Sequence, residues 1–275
     1  MIRTLSPLTA AAALVATAAA VPSSAVPARP HRPTISLSAT PAHLTLLGRT
    51  AQSLVLRNTG LRRVRVVVTR VSVALDLYGN AAIAGSSRPH RSARAWLAVR
   101  PRRLVLAPRT RRLLRISARP PRGATAGDHQ ALVLLSAHAL GHAHVAVRTR
   151  LGVLVFVRVP GRAVRRVAVG RVWVSRRARR RTIVVTTINR GNLVERLASG
   201  QVTVALWRGS RLVKVLRCRA RDLLPNARGL VLYPVPRALH GEFVAEIHVA
   251  AEPARATPPT APPLPGARRA FTLRL

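Results

Sequence analysis

Apolar and polar residues alternate with a period near two along most of the chain. That is the spacing of a pleated strand and not of a helix. The pattern starts at Thr34-Ile35-Ser36-Leu37, continues at Leu44-Thr45-Leu46, and reaches Ser53-Leu54-Val55-Leu56-Arg57. Asn58-Thr59-Gly60 follows as a turn signal. Val64 to Val73 reads as one long strand with imperfect alternation, as for a strand packed on both faces. Asp76 to Arg94, rich in Gly, Asn, Ser and His, reads as a long loop. Strands resume at Trp96-Leu97-Ala98-Val99, Leu104-Val105-Leu106 and Leu113 to Ser117, and Pro120 to Ala124 breaks the chain. Ala131 to Ser136 and Ala143 to Val159 form a closing hairpin through His138 to His142.

Pro160-Gly161 marks a boundary, and a second β series begins at Val164. Its strands are Val172 to Val174, Thr182 to Ile188, Val202 to Trp207, Leu212 to Leu216, Gly229 to Tyr233 and Glu242 to Val249. A turn at Asn189-Arg190-Gly191-Asn192 repeats the Asn-x-Gly signal of the first half, which points to two related units. Short strands at 8–12-residue spacing with turn residues between them predict sandwiches. The expected fold is therefore all-β, with two tandem immunoglobulin-like β-sandwich domains over 34–160 and 161–275. The segment 253–266 is rich in proline and reads as extended. Phe271 to Leu275 alternates again, either as the last strand of the second domain or as a free strand for a partner's sheet edge.

The N-terminus carries export chemistry. Arg3 supplies a short basic region, and Pro7 to Val21 is an apolar, alanine-rich stretch too short to span a bilayer. Small residues around Ser23-Ser24-Ala25 and Val26-Pro27-Ala28 offer cleavage sites. We expect a signal peptide over 1–28, a basic proline-rich linker over 29–33, and a mature protein in the periplasm, on the cell surface or outside the cell. Arginines interrupt every later apolar run, so no transmembrane helix is expected and membrane contact is at most peripheral.

Charge changes this picture. Lys plus Arg number 47 against 7 acids, a formal net charge of +40, and Lys214 is the one lysine. Arginine codons are GC-rich, so a GC-rich genome accounts for such a bias without any function. The surface will nonetheless attract polyanions in a salt-dependent way. Arg176, Arg177, Arg179, Arg180 and Arg181 form the densest run, and Arg100, Arg102 and Arg103 a second zone; such loops can grip phosphates bidentately, or simply be solvated. An export signal and 3% aromatics argue against specific nucleic-acid binding, which uses stacking rings.

Acid–base chemistry has little to work with. Asp76 opens a loop, and Asp128 reads as a turn residue bonding to backbone. Glu242 and Glu246 share a strand face but stand about 13 Å apart, too far to act on one bond. His142 and His144, with His138 and His129 nearby, have a usable metal spacing but no carboxylate or thiolate to complete a site. We expect no enzyme activity, no metal and no cofactor. Cys218, the single cysteine, cannot form an intrachain disulfide and reads as a buried thiol.

Trp96, Leu104-Val105-Leu106-x-Pro108, Leu113 to Ile116, Pro121 to Ala124 and Gly127-Asp128-His129 occur in this order. In this the first half resembles the first domain of bacterial surface proteins of the WxL-interacting type, itself similar to the pilus-chaperone immunoglobulin-like domain. The resemblance covers roughly residues 33 to 160. It implies an exported, non-enzymatic protein that attaches to anionic cell-wall polymer or to another exported surface protein. The alternative it carries is a periplasmic pilus-type chaperone that binds subunits by strand addition. Those chaperones hold a subunit's C-terminal carboxylate with a basic pair in the cleft between domains. Here arginine is so abundant that the sequence singles out no pair.

Overall fold

The computed structural model describes residues 35–84, 91–140, 148–177, 180–251, 262 and 264–275. The signal peptide, the linker, His142, His144, Arg179 and most of 253–266 lie outside the described residues. Among the described residues no helix is long and apolar enough to cross a membrane. The chain is all-β, in two immunoglobulin-like sandwiches.

The first sandwich uses β1 (Leu37–Thr40), β2 (His43–Leu47), β3 (Ala51–Asn58), β4 (Val64–Val71), β5 (Val73–Leu75), β6 (Ala81–Ile83), β7 (Leu97–Arg100), β8 (Arg103–Leu106), β9 (Arg111–Ala118), β10 (Gly127–Ala139) and β11 (Arg148–Val159). One sheet has the order β1-β3-β9-β7, and the facing sheet β2-β11-β10-β4-β8. Leu54, Leu56, Leu114 and Ile116 from the first sheet meet Val64, Val66, Val133, Leu135, Val153 and Val155 from the second. In β3 and β9 apolar and polar positions alternate because one face is solvated. By contrast β10 and β11 are apolar at nearly every position of Ala131–Leu135 and Val153–Val157, and nearly all of these side chains are buried. Their second face is covered too: Leu132, Leu154 and Phe156 pack with Val73, Val194 and Leu224 in a separate cluster.

Two sequence expectations change in this half. The long strand is divided, with β4 ending at Val71 and β5 starting at Val73. The expected loop from Asp76 to Arg94 holds a strand, β6, paired with β5, and a 3₁₀ turn at Arg94–Trp96. Asp76 closes the β5–β6 hairpin by accepting from the Tyr78 and Asn80 amides at 2.8 Å each. Ala81 and Ala82 carry little strand propensity, so the strand was not visible before its neighbours were in place.

The second sandwich uses β12 (Val167–Arg177), β13 (Arg180–Asn189), β14 (Glu195–Leu197), β15 (Val202–Arg208), β16 (Arg211–Arg217), β17 (Arg221–Leu223), β18 (Arg228–Pro234), β19 (Glu242–Val249) and β20 (Ala267–Arg274). Its main sheets run β12-β13-β18 and β16-β15-β19-β20, around Ile183, Val185, Val204, Leu206, Tyr233, Phe243 and Ile247. The Tyr233 hydroxyl donates to the Val202 carbonyl at 3.0 Å, and burial pushes its pKa up. The closing β20 pairs along all of β19, and Leu273 and Leu275 are buried. The alternating C-terminus is therefore internal, not a strand offered outward. Cys218 is buried.

The two Asn-x-Gly turns are built alike. Asn58 and Asn189 are both fully buried. Each accepts, through Oδ1, from the glycine amide two residues on, at 3.1 and 2.8 Å. Each donates, through Nδ2, to the carbonyl four residues on, Arg62 at 2.8 Å and Leu193 at 2.7 Å. A second carbonyl from a distant loop, Ala107 or Leu223, is 3.1 Å away in both.

Asp128 joins the two sandwiches. The reading of it as a turn residue is wrong: it lies in β10, 1% exposed. Arg158 on β11 donates to its carboxylate twice, at 2.6 and 2.8 Å. The Val194 amide of the second sandwich adds a third bond at 2.8 Å. The Asp128 amide donates to the Asn192 carbonyl at 2.8 Å. Gly127 permits this approach, since a Cβ there would stand 2.3 Å from the Asn192 carbonyl oxygen, and its φ of +108° already favours glycine. Replacing Asp128 by Ala leaves the half-buried Arg158 charge and the buried Val194 amide without this partner. We expect a loss of about 3–5 kcal/mol in urea denaturation; a loss under about 1 kcal/mol would remove Asp128 from this role.

Candidate functional site

The edge of β11 positions the site. Toward β10 the strand is paired from end to end, Arg148 opposite His138 and Val159 opposite Gly127. On its other side β2 runs parallel to it but covers Leu154 to Arg158 alone. Arg148 to Val153 thus keep one edge without a strand partner among the described residues. The Leu154 amide donates to Ala42 at 3.1 Å across that side. Alternation along a strand then aims the amides of Arg150 and Gly152 outward on the same side. The Arg150 side chain and the bare Gly152 backbone lie on the face opposite the first core, in a cleft between the sandwiches.

The cleft measures about 770 Å³. Its floor is Leu132, Leu134, Gly152 and Leu154 from the first sandwich. Leu75, Ala81 and Ile83 of the β5–β6 hairpin form one wall, and Ala220, Arg221 and Asp222 of the second sandwich face them. The hairpin tip is fastened across: the Leu230 amide donates to the Leu77 carbonyl at 2.6 Å. The Arg221 Nη1 bridges the Leu77 carbonyl, at 3.2 Å, and the Leu230 carbonyl.

Three arginines line this cleft. Arg150 on β11 is exposed and makes no ion pair among the described residues. Arg196 donates to Asp222 at 3.2 Å and stands 2.9 Å from His43 Nδ1, which is also 3.1 Å from the second Asp222 oxygen. That one nitrogen can accept from Arg196 or donate to Asp222, not both. Arg221 is sunk between the sandwiches, and burial lowers its pKa. Its Nε is buried without a hydrogen-bond partner, an unspent donor beside the cleft. Net positive charge over an apolar floor, next to an unpaired strand edge, suits an extended peptide with a carboxylate.

The chain has no match among family models or curated proteins. The WxL-interacting resemblance therefore gains no support from them. Solved structures resemble the chain weakly. One is the YadV chaperone, 8% identical at a TM-score of 0.49, covering 86% of this chain and all of that one. Another is the class 5 fimbriae chaperone CfaA, 11% identical at 0.48, covering 86% and 98%. A third comes from the Salmonella enterica SafA pilin in complex with the SafB chaperone, 12% identical at 0.44, covering 86% and 96%. At these scores the likeness bears on neither ligand nor partner.

The arginines singled out from the sequence are placed differently. Arg176 and Arg177 end β12, Arg180 and Arg181 begin β13, and they face one another in register. Two of them fasten their own sandwich: Arg176 donates to the Arg274 carbonyl at 3.1 Å and Arg181 to the Arg237 carbonyl at 2.9 Å. Arg100 and Arg103 lie on different sheets of the first sandwich, with Arg102 at the crossing between them. No strand pairing joins the two zones, and none of these residues lines the cleft. The cleft residues His43, Arg150, Arg196 and Arg221 were not singled out, because one arginine among 47 cations carries no sequence mark of its position. Among the described residues no group of three or more His, Cys, Asp or Glu could hold a metal ion. His129 and His138 share strand β10.

His129 is buried beside the junction, its ring 4.5 Å from that of Trp96 and its Nε2 2.9 Å from the Thr125 carbonyl. Burial lowers its pKa first, and nearby Arg91 lowers it further; the Thr125 bond and Asp128 oppose them. The unfolded chain therefore takes up this proton near pH 6.5, before the native state does. The contribution to stability is complete above that pH and is lost as pH falls toward the lowered native value. We expect the melting temperature to drop between pH 7.5 and 5.5, and to drop less in His129→Phe. Parallel pH curves for the two proteins would refute this.

Proposed function

We propose that this chain is an exported, non-enzymatic protein that binds an extended polypeptide by adding it as a strand to the free edge of β11. The observation that carries this is that the unpaired half of β11 runs into an arginine-lined cleft. An added strand completes the hydrogen bonds of Arg150 and Gly152 on the edge. Only a strand parallel to β11 brings its C-terminus toward β2 and the cleft, where Arg150 meets the terminal carboxylate. The apolar floor of Leu132, Leu134 and Leu154 accepts the side chain nearest the terminus. A periplasmic setting, where exported subunits are still unpaired, fits this activity and the export signal.

Attachment to a wall polymer fits the cleft less well. Glycan surfaces are commonly met by aromatic faces with polar edges, and no Phe, Tyr or Trp lines it among the described residues.

The test uses a ten-residue peptide of alternating valine and threonine, with either a free carboxylate or an amide at its C-terminus. A charge-assisted hydrogen bond contributes about 1.5–3 kcal/mol, so the acid should bind about ten- to a hundredfold tighter. Arg150→Gln should abolish that difference, and Arg150→Pro, which also removes an edge donor, should weaken both peptides. Equal binding of acid and amide by the wild-type chain would sink the reading.

A further inference from the structure

The outer face of the β1-β3-β9-β7 sheet carries a second concavity, away from the cleft and independent of strand addition. Its floor is a row of small side chains on three neighbouring strands: Ala51 pairs with Ser117, and Ser117 with Ala98. Strands stand about 4.8 Å apart, so this row is a shallow trough about two strand spacings wide. Arg49, Arg100, Arg115 and Arg119 rise around it and enclose about 860 Å³.

Two features set the trough apart from the other arginines of this surface. First, Arg100 and Arg115 are direct cross-strand partners and both are exposed. Like charges so placed repel one another. No counter-charge offsets them: the two described acids of the first sandwich are Asp76, which closes the β5–β6 hairpin, and Asp128, which is spent on Arg158. Second, none of the four guanidiniums has a protein hydrogen-bond or ion-pair partner among the described residues. By comparison, Arg57 and Arg111 are also cross-strand partners on this sheet, but neither lines this trough.

We infer that this trough is a binding site for closely spaced phosphate groups of a flexible, soluble polyanion. Each guanidinium presents a rigid fork of donors that matches phosphate oxygens two at a time. Four forks around a small-residue floor suit several adjacent phosphates, whereas a lone carboxylate would engage one fork and leave the other charges opposed. Binding relieves the Arg100–Arg115 repulsion, which gives the site its selectivity for dense negative charge.

The probe is tripolyphosphate, titrated calorimetrically into the full mature chain at fixed salt. The double substitution Arg100→Gln/Arg115→Gln should weaken binding on the order of tenfold or more. Arg57→Gln/Arg111→Gln removes the same net charge from the same sheet, and should change affinity by about twofold or less. If the first double variant fails to fold, Arg49→Gln/Arg119→Gln, which lies outside the strands, replaces it with the same expectation. Equal weakening by the trough and control pairs would mean diffuse charge attraction and overturn the site. So would unchanged binding in the trough variants, or tighter binding to phosphatidylglycerol vesicles than to tripolyphosphate through these same arginines.

Discussion

The buried carboxylate of Asp128 is the constraint on which the arrangement of the two sandwiches depends. It receives three hydrogen bonds, two from Arg158 in its own sheet and one from the Val194 amide across the junction. Burying a carboxylate this far from water is costly unless its lone pairs are met. The second sandwich must therefore present Val194 at that point and no other. With the junction so set, Leu132, Leu154 and Phe156 close against Val194 and Leu224. The remainder of that sheet face is left open as the cleft.

A chain with 47 basic residues and 7 acids has few carboxylates to place, and their positions are informative. Asp128 and Glu195 are both buried, and each takes an arginine fork, the half-buried Arg158 and the buried Arg165 respectively. Asp222 holds Arg196 beside the cleft, and Asp76 shapes the hairpin that forms its wall. Acids thus sit where an arginine must be buried or a wall fixed. Elsewhere some guanidiniums, such as Arg176, Arg181 and Arg221, are held by backbone carbonyls, and many others are exposed, where screening keeps their mutual repulsion small. The exceptions are places where several converge without a partner, and these are where an anion would be held.

The same economy separates the two proposed sites. In the cleft, Arg150, which makes no ion pair among the described residues, stands beside an apolar floor and a row of outward amides, which matches a single terminal carboxylate on a peptide. On the outer sheet, four guanidiniums surround a shallow floor of Ala51, Ser117 and Ala98 with no free edge at its centre, which matches clustered phosphates. Charge alone does not distinguish these surfaces; the backbone beneath them does.

Much of the fold was legible in the residues. The period of two, the turn signals and the paired Asn-x-Gly motifs read as two sandwiches, because which residues face a core is a local property of a pleated strand. The runs that became β10 and β11 read as a closing hairpin, but not as strands covered on both faces, because Val194 and Leu224, which cover the second face, lie far along the chain. What was not legible depended on partners distant in sequence. Asp128 looked like a turn residue until Arg158 and Val194 met it, and Ala81 to Ile83 looked like loop until β5 paired with it. Most of all, no local feature marks Arg150 among its many equivalents. Strand identity follows from each residue and its neighbours, but a free edge and a cleft exist only once β2 stops short along β11 and the second sandwich docks.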